Sequence, residues 1–118
     1  MKWLNRLKQL EIETSFNSYF QIFIIGIMLN IAVIMFNGLK MPVYFSKGEN
    51  IFINSEFHFP FTNFNQVVYP FLADIINLGF GKFSIGDVLL FGGVLGMIIM
   101  AFQEVLIKLK QRRENGIA

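Results

Sequence analysis

Apolar and polar positions alternate in long blocks along this chain rather than in short periods. Tyr19–Phe36 and Phe83–Ile107 are nearly continuous apolar runs, separated by a stretch rich in phenylalanine and asparagine. Crossing a hydrocarbon core takes roughly 20 mostly apolar residues, so each run is about long enough. The pattern predicts an all-α membrane protein, with transmembrane helices at 18–37 and 83–107 forming an antiparallel hairpin. Before the first run, Trp3, Leu7 and Leu10 recur at helical spacing, and Lys2, Arg6 and Lys8 fall mostly on the other side. Residues 1–17 therefore read as an amphipathic interfacial helix.

The connecting stretch, 38–82, reads as an extracytoplasmic loop. Asn37-Gly38 is a helix stop, since glycine takes the left-handed conformation that ends a helix, and Pro42 prevents its resumption. Ile51–Asn54 and Phe57–Phe61 have the look of short strands. Val67, Val68, Phe71, Leu72, Ile75 and Ile76 repeat with a helical period. That repeat predicts a short helix near 66–78, with Pro70 in its first turn. Ser84 and Asp87 have the spacing of an N-terminal capping box for the second span.

The spans also carry marks of an inner face. Gly26, Asn30, Val33 and Asn37 share one side of the first helix. An asparagine at membrane depth normally faces protein, and a nearby glycine lets another backbone approach. Gly92 and Gly96 form a G-x-x-x-G pair on the second helix and are read as a packing or partner contact.

Charge orients this plan. Of the 10 basic residues, Lys2, Arg6 and Lys8 precede the first span, and Lys108, Lys110, Arg112 and Arg113 follow the second. Only Lys40, Lys47 and Lys82 lie between, which puts both termini in the cytoplasm under the positive-inside rule. The basic tail, 108–118, reads as a lipid-headgroup anchor, with no nucleic-acid partner expected. Glu104 and Lys108 are a favourable pair one helical turn apart.

Little here points to chemistry. The chain has no cysteine and one histidine, His58. A lone histidine without ligand-spaced companions is no metal site, and neither metal nor cofactor is expected. No phosphate loop, nucleophile elbow, zinc-protease helix or dinucleotide fingerprint is present. Asp74 and Asp87 are the pair on which carboxylate catalysis would have to rest. Each has an adequate structural role, Asp87 as a cap and Asp74 on the wet side of its helix, and the chain is read as non-enzymatic.

Asn37-Gly38-Leu39-Lys40-Met41-Pro42-Val43, Leu72-Ala73-Asp74-Ile75-Ile76-Asn77-Leu78 and Phe83-Ser84-Ile85-Gly86-Asp87-Val88-Leu89 together carry a resemblance. The chain resembles the C-terminal part of a family of small bacterial membrane proteins known as domain of unknown function 5317. Ala73 stands where that family has glycine, and Asn77 where it has proline. The resemblance implies that Asn37, Lys40, Pro42, Asp74, Ser84 and Asp87 cluster at the outer membrane face, and it implies no activity.

The expected role is a non-enzymatic accessory or scaffold subunit of a larger complex in a bacterial inner membrane, in contact with lipid and with other membrane subunits. A self-associating, holin-like protein and an intramembrane aspartyl hydrolase are the alternatives.

Overall fold

The computed structural model describes residues 2–53 and 55–116. Its two long helices are α1, Lys2–Met35, and α2, Ile85–Glu114. At about 1.5 Å per residue, they are roughly 50 and 45 Å long. The lead expected as a separate interfacial helix is continuous with the first span, because no glycine or proline interrupts Lys2–Met35 before Gly26. The chain divides into two compact units, one of Met1–Phe23 with Phe91–Ala118 and the other of Ile24–Leu90.

In the first unit, parts of α1 and α2 pair antiparallel. Gly93 lies against the backbone of Tyr19 and Phe23; a Cβ there would come within 2.7 Å of both. Gly96 receives the ring of Tyr19. Further along, Asn5 Nδ2 donates to Glu114 Oε2 at 3.3 Å. Lys108 and Glu104 form the exposed ion pair expected of their spacing, at 3.4 Å.

The second unit holds the ends of both helices and a capping region with strands, which the all-α class did not include. The strand expected at Phe57–Phe61 forms over His58–Phe61, whereas residues 51–53 form none and Asn54 lies outside the described residues. β1, Met41–Tyr44, pairs in parallel with β2, His58–Phe61, in the register Met41 to His58 through Tyr44 to Phe61. On the other side of β1, Asp74 forms an isolated bridge to Val43. Its N–H donates to Pro42 O and its C=O accepts from Tyr44 N, both at 3.0 Å. Pro42 has no N–H to leave unpaired on that side. β3, Ile76–Asn77, and β4, Lys82–Phe83, make a short antiparallel hairpin around Gly79.

The helix expected near 66–78 does not form. Instead there are single 3-10 turns at Phe64–Gln66 and Pro70–Leu72, then extended backbone. Two local causes act. Asn63 and Gln66 close a capping box on one turn, and Tyr69, directly before Pro70, is left-handed at φ +54°. A residue before proline is pushed out of the helical region. The tertiary cause is the pairing of Asp74 with β1, which needs extended backbone. The apolar period is spent on a small core instead: Phe61, Val67 and Ala73 are buried, with Tyr44, Phe59 and Ile75 packed around them. Tyr44 and Phe64 meet edge to face at 5.1 Å between centroids, a favoured aromatic arrangement, and Phe61 is tilted against both at 5.5 and 5.9 Å.

Candidate functional site

The polar residues of the second unit fall into a helix lock and an adjoining pocket. The lock is built on the first turn of α2. Ser84 Oγ accepts from Asp87 N at 3.0 Å, and Asp87 Oδ2 accepts from Ser84 N at 3.1 Å, so the capping box is closed in both directions. Asn30 of α1 completes it: Nδ2 donates to Asp87 Oδ1 at 2.8 Å, and Oδ1 accepts from Ser84 Oγ at 2.6 Å. The backbones can come this close because of Gly26 and Gly86. A Cβ on Gly26 would sit 2.6 Å from Gly86 O and 2.7 Å from Leu90 N. Gly86 and Ser84 are themselves buried.

Asn37 does a related job one element further on. Its Nδ2 donates to Val33 O and to Val68 O, and its Oδ1 accepts from Val68 N. It stitches the end of α1 to the capping region while Gly38 turns the chain at φ +71°. Lys40 is exposed. Gly92 is exposed too, with open space where a Cβ would stand. The residue of α2 that meets α1 there is the adjacent Gly93.

The pocket has a volume of about 270 Å3 and is lined in part by Val43, Phe45, Phe52, His58, Asp74 and Lys82. Lys82 is fully engaged: Nζ pairs with Glu49 and donates to Tyr44 O. It also stands 3.8 Å above the centre of the Phe45 ring, a cation–π contact. The Lys82 hydrogen bond, and then Ser46, hold the Glu49 carboxyl below the usual range.

Asp74 is different. It is only 5% exposed, held in place by the backbone pairing with β1. His58 Nε2 lies 3.8 Å from its Oδ2, while Oδ1 is buried without a hydrogen-bond partner among the described residues. Burial first, then the charge of the Asp87 carboxylate and a side-chain hydrogen bond with it, push its pKa up to about 7. The carboxyl is thus poised to change charge near neutrality. The structure therefore brings Asp74, Asp87, Ser84 and Pro42 into one unit.

Nothing in the residue pattern links His58 and Lys82 to Asp74. His58 comes from β2 and Lys82 from β4, and parallel pairing of β1 and β2 across a 13-residue connection (45–57) has no short-range signature. No group of three or more metal-ligating side chains occurs among the described residues.

The family described as a family of unknown function, DUF5317, matches residues 9–100 of the chain. No curated protein and no solved structure matches.

Proposed function

We propose, for a chain that belongs to the DUF5317 family, that it is a two-span inner-membrane protein acting as a non-enzymatic accessory or scaffold subunit of a larger bacterial complex. The observation that carries this reading is the apolar surface left uncovered by the helices. The most apolar windows of α1 and α2 are only 11% and 17% buried. A core helix of a water-soluble domain would be mostly covered. Met28, Ile31 and Met35 on α1, and Phe91, Leu95, Ile98 and Phe102 on α2, all remain exposed. Lipid or neighbouring helices would satisfy them. Phe52, Phe57 and Phe80 add large aromatics on the capping region, exposed by 68–83%, which suit a protein neighbour or the membrane interface.

The alternatives have less support. Gly96 is occupied by Tyr19 inside the hairpin, so Gly92 and Gly96 do not offer one free face for a holin-like assembly. Both Asp87 oxygens already accept hydrogen bonds, which suits a strut better than half of a catalytic pair.

Absence of native cysteine makes the topology simple to test. A single cysteine at Glu56 should react with a membrane-impermeant maleimide in whole cells, and one at Arg112 should not. Reaction of both, or protein that stays in solution without detergent, would refute the membrane reading. A photo-crosslinker at Phe80 and at Ile98 tests the subunit reading. A discrete adduct with one other membrane protein is expected, and adducts with lipid alone would count against it.

A further inference from the structure

We propose that the pocket above Asp74 is a binding site for a primary ammonium group carried on a short apolar body. This goes beyond the scaffold reading and does not depend on it. Among the described residues, the unmet polar demand at the pocket is for a donor. Lys82 has its carboxylate, carbonyl and ring partners, so it offers little to an anion. Asp74 Oδ1, in contrast, is buried and accepts no hydrogen bond from the described residues, and the polar neighbour of this carboxyl is another carboxyl, that of Asp87. Two neighbouring carboxyls with too few donors are destabilised when ionised, and a bound N–H would offset that.

Charge points the same way. The ionisable groups of the pocket and its floor are His58, Lys82, Glu49, Asp74 and Asp87. Glu49 and Asp87 outweigh Lys82 by one negative charge, and Asp74 adds another when it ionises, a field that draws a cation. Val43, Phe45 and Phe52 form apolar and aromatic wall, suited to a hydrocarbon body and to a cation near a ring face. A volume of about 270 Å3 is just under the roughly 300–1,000 Å3 of pockets for drug-sized ligands, so the ligand is small or is one end of a larger molecule. A free alkylamine and the headgroup of phosphatidylethanolamine both present this chemistry.

The test uses the full chain in nanodiscs of phosphatidylglycerol, with benzylammonium as probe and binding followed through the His58 imidazole resonances. Saturable binding is expected. It should be at least tenfold weaker for benzyl alcohol, which lacks the charge, and for benzyltrimethylammonium, which lacks the N–H. Asp74→Asn should weaken it at least tenfold. Ile53→Trp, which fills the pocket and leaves Asp74 in place, should abolish it and covers the case in which the Asp74 variant misfolds. Repeating the titration with phosphatidylethanolamine in the discs separates the sources: competition identifies the lipid headgroup, and unchanged affinity identifies a free amine. Equal binding of benzylammonium and benzyl alcohol, no binding at all, or full binding by the Ile53→Trp variant would overturn the proposal.

Discussion

The helix-pair unit and the capping unit of this protein are held together in different ways. In the unit of Met1–Phe23 and Phe91–Ala118, what lets the helices meet is the absence of side chains: Gly93 admits the Phe23 backbone and Gly96 the Tyr19 ring. In the unit of Ile24–Leu90, the same small-residue device at Gly26 and Gly86 is combined with a closed hydrogen-bond network. Asn30, Ser84 and Asp87 satisfy one another. Close packing tolerates no added volume, whereas a polar network tolerates no missing partner. The two units should therefore fail under different substitutions.

The largest effect is expected where backbone meets backbone. Gly93→Leu and Gly26→Leu each drive a side chain into main-chain atoms that cannot move aside. Overpacking typically costs about 1–3 kcal/mol, and these positions should reach or exceed the top of that range, read as loss of the thermal transition in detergent. Gly92→Leu, with open space around it, should change stability by less than about 0.5 kcal/mol. Equal effects of Gly92→Leu and Gly93→Leu would erase the distinction between the exposed and the packed glycine.

Next comes the polar network. Asn30→Leu removes two hydrogen bonds and strands buried polar atoms of Ser84 and Asp87. About 2–3 kcal/mol of destabilisation is expected, measured by chemical denaturation, and adding Ser84→Ala should recover part of it because one stranded hydroxyl is gone. Strict additivity of the two changes would mean the residues do not act as a unit.

Asp74 gives a pH signature to the capping unit alone. Its folded pKa, about 7, lies above the ordinary aspartate value of 3.8, so the folded state binds the proton more tightly than the unfolded one. The resulting stabilisation is fully present below about pH 4 and is lost as pH rises through 7. Asp74→Asn, which mimics the neutral acid, should be more stable than the parent at pH 8, by about 1–3 kcal/mol. At pH 3, below both values, the two should differ little. A constant difference across that range would show that ionisation at Asp74 is not what destabilises the parent. The smallest effect is expected at the exposed Glu104–Lys108 pair, where Lys108→Ala should cost no more than about 0.5 kcal/mol.

How much was legible in the sequence differs between the units for the same reason. Both helices could be read from their apolar blocks, and the Ser84–Asp87 cap from its spacing, because those signals are local. The asparagine at depth said that Asn30 faces protein; it did not say that Asp87 and Ser84 would be the partners. In the capping unit, the apolar period from Val67 to Ile76 suggested a helix, and the competing claim of β1 on the Asp74 backbone overruled it.

By itself, then, the sequence determined which stretches are long, apolar and helical, where they stop, and that one glycine- and asparagine-marked side of the first must be covered. Each of these follows from residues within a few turns of one another. Only the tertiary structure decided that Gly93, and not Gly92, meets the other helix, and that Met41–Tyr44 is sandwiched between His58–Phe61 and Asp74. It alone buried the Asp74 carboxyl, beside Asp87 and at the edge of a pocket. Those outcomes depend on which distant backbone reaches an unpaired N–H or C=O first, and local periodicity does not encode that competition.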